Sequence, residues 1–159
     1  MNMIYSHSWN TPLGIAHARC NENGLIYLMI DDQDAHMEKT DFIHPILEQA
    51  RQELNEYFEK KRMQFTVPID PEGTNFQKQV WQALRRIPHG HTCNYQDIAK
   101  EIADKNASRA VGSACGANPI LIIIPCHRVI QKSGKIGNFS AGLAKKTALL
   151  KLEEVCPVK

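Results

Sequence analysis

Apolar and β-prone residues fall in three short runs over the first thirty positions: Met3–Trp9, Leu13–Cys20 and Leu25–Ile30. Turn-forming residues, Asn10-Thr11-Pro12 and Asn21-Glu22-Asn23-Gly24, separate them, so the pattern predicts a meander of strands. The stretch 31–41 is polar and acidic and reads as a loop. From His44 the period changes: Leu47, Ala50, Leu54, Tyr57 and Phe58 recur at helical spacing behind Pro45, a residue tolerated in a first turn. One amphipathic helix of this kind can cover a small sheet. Phe65–Ile69 reads as a further extended piece, and the prolines and glycine of Pro68-Ile69-Asp70-Pro71-Glu72-Gly73 read as a linker.

Past the linker the pattern is mainly helical. Thr74 is a natural N-cap for a helix whose face is Phe76, Val80, Ala83, Leu84 and Ile87, stopped by Pro88-His89-Gly90. Asn94 with Asp97 three residues on resembles a capping pair opening a short helix over Tyr95–Ala103, and Ser108 opens a second through about Gly116. Two short helices in a basic segment have the outline of a helix-turn-helix, an outline that ordinary packing in an α-rich domain also produces. The fold class is therefore α/β of the α+β kind. A small antiparallel sheet with a covering helix occupies residues 1–71, and a mainly helical domain containing the helix-turn-helix occupies residues 72–159.

Composition narrows the class. With 159 residues, 43% hydrophobic and 23% charged, the chain has the make-up of a globule with a real core and not of a disordered or fibrous chain. Its longest apolar run, Ile120–Ile124, is far short of the roughly 20 residues that span a bilayer, and its polar start lacks a signal-peptide core. A cytoplasmic protein without a membrane partner is expected. The five cysteines, at 20, 93, 115, 126 and 156, include no CxxC pair, so free thiols are expected in place of a disulfide framework or zinc ribbon. The net charge of +2 conceals an asymmetry: residues 1–71 carry 6 Lys+Arg against 11 Asp+Glu, net −5, and residues 72–159 carry 13 against 6, net +7. The basic half is the one suited to a polyanion.

The chemistry concentrates in Ile122-Ile123-Ile124-Pro125-Cys126-His127-Arg128-Val129-Ile130. An apolar, strand-like segment runs into a Cys-His-Arg cluster, which would pin reactive groups at the end of a rigid element. A cysteine nucleophile needs thiolate character, and an adjacent base or cation supplies it. By itself the Cys-His pair also fits a buried thiol packed beside a hydrogen-bonded histidine. Glu153 follows Leu149 by four and Leu150 by three, which places a carboxylate on the apolar face of the last helix, where it needs a partner.

Pro125-Cys126-His127-Arg128-Val129, preceded by Gly112 and Asn118-Pro119 and followed by Gly137-Asn138-Phe139-Ser140, resembles the active-site region of the O6-alkylguanine-DNA alkyltransferases. The likeness runs from Phe76 to Glu153, and the N-terminal half fits more loosely. It implies a DNA repair protein that moves the alkyl group of O6-alkylguanine, and of O4-alkylthymine, irreversibly onto Cys126. Such a protein is spent in one turnover and needs no cofactor. The implied partner is double-stranded DNA carrying the lesion, bound by a monomer.

The resemblance also implies the residue roles. Cys126 would accept the alkyl group, His127 would take its proton through a water, and Glu153 would orient His127. Asn118 would tie the DNA-reading helix to the active-site strand through backbone hydrogen bonds. Arg109, beside Ser108, would enter the base stack in place of the extruded nucleotide. The small residues Ala110, Gly112 and Ala114 would let that helix approach the minor groove. Tyr95 would help rotate the nucleotide and donate to N3 of the departing guanine. The backbone N–H of Ser140 would approach O6, and the carbonyls of Cys126 and Val129 would accept from the 2-amino group. Phe139 stands where several relatives have tyrosine, and Ala141 and Glu154 stand where many have glycine. The zinc site of some animal relatives is not recognisable in Cys20, His7, His17, His36 and His44, so no metal is expected.

Three other classes stay in view, one of them a cysteine hydrolase, for which a base-flipping scaffold offers no evident substrate. Alkyltransferase-like binding proteins share the scaffold but replace the cysteine, whereas Cys126 is present. A helix-turn-helix regulator would need no Cys126-His127-Glu153 set.

Overall fold

The computed structural model describes residues 3–32, 36–37, 42–102, 104, 106–137, 139 and 141–155. Its contacts divide the chain into two units, Met1–Glu72 with Pro119–Leu121, and Gly73–Asn118 with Ile122–Lys159. A single cut at residue 71 does not capture the short return of Pro119–Leu121 to the first unit.

In the first unit β1 (Tyr5–Thr11), β2 (Gly14–Cys20) and β3 (Leu25–Asp31) form an antiparallel sheet in chain order. The first turn is tighter than the sequence implies, because β1 continues through Thr11. Thr11 Oγ1 donates to Gly14 O at 2.8 Å and accepts from Leu13 N–H. Gly14 has φ 137°, and a Cβ there would lie 1.9 Å from Asp31 O, so only glycine fits. The second turn is held by Asn21 Oδ1, which accepts from the N–H groups of Asn23 and Gly24. Trp9, Ala16, Ala18, Leu28 and Ile30 share a buried face with Leu47, Ala50, Leu54 and Tyr57 of α1 (Pro45–Phe58), as the two periodicities require.

Two features of this unit are invisible in the apolar pattern. His44 is the N-cap of α1, its ring nitrogen accepting from Ile46 N–H at 3.1 Å. Glu53 is buried on α1, where it accepts from the N–H groups of Thr66 and Val67 and from Thr66 Oγ1. That clamp holds the extended piece, which bridges Leu25 through Ile69 in parallel, while Ile120 bridges Leu28. Together they pair part of the free edge of β3.

In the second unit α2 (Asn75–Arg85) opens on a capping box of Thr74 with Gln77 and buries Val80, Trp81, Ala83 and Leu84. A second capping box, Asn94 with Asp97, opens α3 (Tyr95–Glu101). The expected end of this helix at Ala103 lies outside the described residues. α4 (Ser108–Gly116) begins at Ser108, but its N-cap is Ala107 and makes no side-chain cap. α5 spans Leu143–Leu152. Between α2 and α3, β4 (Cys93–Asn94) pairs in parallel with β5 (Val129–Ile130), which brings the start of α3 beside the Cys-His-Arg turn. Among the described residues no helix is long and apolar enough to cross a membrane.

The segment leading to Cys126 departs from the expected strand. Ile120 through Ile124 are all buried, but Ile122 has φ 71° and the chain turns there, a conformation that costs a β-branched residue about 1–2 kcal/mol. Cys126–Arg128 then form a single 3₁₀ turn. The reactive cluster is thus not carried at a strand end; side-chain hydrogen bonds fix it instead.

Candidate active site

Cys126 is 4% exposed and opens the 3₁₀ turn. α4 ends just before Asn118, whose N–H donates to Cys115 O at 3.2 Å. The Asn118 amide donates to Ile124 O at 2.7 Å and to Cys126 Sγ at 3.1 Å. One side chain therefore joins the end of α4 to the backbone before the thiol and to the thiol itself. Burial pushes the Cys126 thiol above its ordinary range, opposed by the Asn118 bond and the charge of Lys146. The thiol is protonated at rest, and its use as a nucleophile requires a base.

His127 supplies that base in form. It is fully buried, and its Nε2 meets Glu153 Oε2 at 2.6 Å. Facing an ionised carboxylate, Nε2 carries the proton, which leaves the lone pair on Nδ1. Nδ1 has no hydrogen-bond partner among the described residues. Burial lowers the His127 pKa against the raising effect of Glu153, so the ring is neutral at rest and keeps the lone pair on Nδ1. Glu153 caps the end of α5 and is 2% exposed. Burial pushes its carboxyl up, but hydrogen bonds and charge from His127 and Arg128 outweigh that and hold it far below the usual carboxylate range. Arg128 donates Nε to Glu153 Oε1 at 2.8 Å, Nη2 to Oε2 at 3.1 Å and Nη1 to Ile87 O at 2.7 Å.

Of the two cations of this centre, the sequence points to Arg128, as a positive neighbour of Cys126, but not to Lys146. Arg128 carried a signal, because a carboxylate on the apolar face of α5 needed a partner and a cation sat next to the proposed base. Lys146 carried none. It is fully buried on α5, donates to Val129 O at 2.7 Å, and burial lowers its pKa to about 8.

A cavity of about 750 Å³ opens on Cys126, lined also by Tyr95, Arg109, Gly112, Gln131 and Phe139. Tyr95 stands at the first position of α3, with its hydroxyl 3.7 Å from where a Cβ on Gly137 would lie. Burial raises its pKa, so it is a neutral hydrogen-bond donor. Ser108 lines the same cavity, and Arg109 is exposed at the start of α4. Ala114 is not on the outer side of this helix. It is buried with Val111 and Cys115, and its carbonyl accepts from Trp81 Nε1 at 2.9 Å. The small outward residues are Ala110, Ser113 and Gly116, with Gly112 part-buried. The carbonyl of Cys126 accepts from Val129 N–H and that of Val129 from Lys146 Nζ, and a carbonyl oxygen can accept two bonds. Ser140 lies outside the described residues, while Phe139 and Ala141 lie within them.

Two family models match the chain: 6-O-methylguanine DNA methyltransferase, ribonuclease-like domain, over residues 4–71, and 6-O-methylguanine DNA methyltransferase, DNA binding domain, over residues 75–155. A methylated-DNA--protein-cysteine methyltransferase of Methanosarcina acetivorans is 41% identical over 160 residues, covering 96% of this chain and 100% of that protein. The inducible methyltransferase of that name from Bacillus subtilis is 51% identical over 108 residues, covering 68% of this chain and 60% of that protein. Among solved structures, the Mycobacterium tuberculosis O6-methylguanine methyltransferase superposes with a TM-score of 0.84 at 36% identity, covering 99% of this chain and 97% of that one. The Mycobacterium tuberculosis OGT in complex with DNA superposes with a TM-score of 0.83 at 39% identity, covering 94% and 92%.

Proposed function

This chain belongs to the 6-O-methylguanine DNA methyltransferase family, and from that premise we propose how its own residues repair alkylated DNA. The protein transfers the alkyl group of O6-alkylguanine in DNA to Cys126 and is consumed by doing so. The observation that carries the assignment is the buried Cys126, His127 and Glu153 set beside a cavity bounded by Tyr95 and α4.

A nucleophile cannot reach the alkyl carbon of a base stacked in duplex DNA, so the nucleotide must leave the stack. Arg109, exposed at the start of α4, takes its place, with Ala110 and Gly112 allowing close approach to the minor groove. Within the cavity the proton of Cys126 passes through a water to Nδ1 of His127, whose imidazolium Glu153 stabilises. The thiolate attacks the alkyl carbon, the S–C bond forms and the C–O6 bond breaks, and the electron pair goes to the guanine. Tyr95 donates to N3, which spares the leaving group a full negative charge, and the carbonyls of Cys126 and Val129 receive the 2-amino group. The thioether has no easy leaving group, so the chain reacts once.

Every group invoked comes from one unit of one chain, which favours a monomer acting on duplex DNA. O4-alkylthymine presents a similar alkyl carbon and belongs in the same substrate class. With excess duplex bearing a radiolabelled O6-methylguanine, transfer to protein should stop at one methyl per chain. Continued turnover would rule the reading out.

A further inference from the structure

Glu153 offers acceptor sites on two oxygens, and Arg128 occupies both, Nε on Oε1 at 2.8 Å and Nη2 on Oε2 at 3.1 Å. The same Oε2 receives His127 Nε2 at 2.6 Å, and Gly90 N–H approaches Oε1 at 3.4 Å. The third arm of the guanidinium, Nη1, is anchored on Ile87 O at 2.7 Å, so the fork cannot swing away without giving up a buried bond. His127 thus shares its carboxylate with a permanent cation.

We propose that Arg128 is a positioning residue for alkyl transfer: by pairing with Glu153 it keeps His127 neutral at rest, with the proton on Nε2 and the lone pair on Nδ1. A buried carboxylate without a cation would be neutralised most readily by protonating the imidazole bonded to it. A protonated His127 has no lone pair with which to take the thiol proton. With Arg128 in place, the guanidinium balances the carboxylate, and the charge that remains in the centre is that of Lys146. Proton transfer from Cys126 to His127 adds one negative and one positive charge, so the net charge of the buried centre does not change.

The charged and titratable groups acting on His127 are Glu153 and Lys146 from α5 and Arg128 from its own turn, with the Cys126 thiol adjacent in sequence. His89, in the loop after α2, is coupled to Glu153 and Arg128. Burial is the largest effect lowering the His127 pKa, Glu153 opposes it, and Arg128 and Lys146 add to it. Removing the guanidinium therefore moves the imidazole toward its charged form.

This inference rests on His127 acting as the base, and its primary test does not depend on alkyl transfer. The ring nitrogens of His127 are titrated by ¹⁵N NMR in the full chain, in wild type, Arg128→Lys and Arg128→Met, with folding checked by circular dichroism. Single-turnover methyl transfer is measured across the same pH range. The wild type should show a neutral, Nε2-protonated ring at pH 7. In Arg128→Met the imidazolium should persist to higher pH, with a transfer rate reduced about tenfold at pH 6 and recovering toward wild type as pH rises. Arg128→Lys keeps the charge but not the fork and should fall between. If Arg128→Met does not fold, the neutral Arg128→Gln carries the test, and a His127 titration identical to wild type in a folded variant that lacks the charge overturns the proposal. So does a rate loss of the same size at every pH. Failure of the transfer reading itself would show separately, as wild-type protein whose Cys126 is never methylated.

Discussion

The amide of Asn118 donates to the sulfur of Cys126 at 3.1 Å and to the carbonyl of Ile124 at 2.7 Å, so the residue that ends the turn after α4 also sets the position of the thiol. A donor aimed at sulfur favours the thiolate over the thiol. Asn118→Ala should remove both bonds, while Ile124 O keeps the N–H of Cys126 at 2.8 Å, a cost of about 1–3 kcal/mol. The thiol pKa should rise as well. Denaturant melts and the pH dependence of thiol alkylation by iodoacetamide check the two effects separately.

Glu153 makes stability depend on pH. Its carboxyl is held below the usual carboxylate range in the folded protein, so the unfolded chain binds more protons as the medium is acidified. The stabilisation is fully present above the unfolded carboxylate pKa of about 4.3 and is lost as pH falls through the folded value. Urea midpoints measured from pH 7 to pH 3 should decline at the acid end, and Glu153→Gln should flatten that decline. At pH 7 the same substitution leaves Arg128 with a neutral partner in a buried site, at a cost of about 3–5 kcal/mol.

Lys146 holds a cation in the core beside the reactive centre, and burial lowers its pKa to about 8. Its charge lowers the pKa of Cys126. Lys146→Met should therefore raise the thiol pKa and slow methyl transfer at pH 7, while stability changes by less than about 2 kcal/mol because the lost bond to Val129 O is offset by relief of a buried charge. Iodoacetamide titration and thermal melts on one preparation check both parts.

At the end of α5, Glu154 has φ 60°. Val155 N–H reaches back to Leu150 O and Glu154 N–H to Lys151 O, each at 3.0 Å, the hydrogen-bond pattern of a helix end that favours glycine at this position. Glu154→Gly should stabilise the protein by about 1 kcal/mol without moving Glu153. A denaturant midpoint that rises with an unchanged transfer rate would bear this out; an unchanged midpoint would contradict it.

Much of the fold is legible in the sequence where a local rule has one solution. Thr74 with Gln77 and Asn94 with Asp97 cap their helices as the spacing requires, and the period-two runs form the sheet. The run Ile120–Ile124 misleads because apolar residues record burial and not direction, and nothing in three consecutive isoleucines marks the turn at Ile122. Ala114 belongs to the inner side by helical phase, because aligning α4 on Val111 puts Ala114 and Cys115 there. Lys146 and Arg128 show their charge in the sequence, but their partners, Val129 O, Ile87 O and Glu153, are brought to them only by the fold.

The central claim is that Cys126 is the alkyl acceptor and reacts once. Mass spectrometry of the protein after incubation with excess duplex DNA containing O6-methylguanine tests it most directly. The account predicts the mass of a single methyl group in place of one hydrogen, confined to the peptide bearing Cys126, and an unmodified protein when Cys126→Ala is treated in the same way. A methyl group on any other residue, or guanine restored in the DNA by Cys126→Ala, would contradict it.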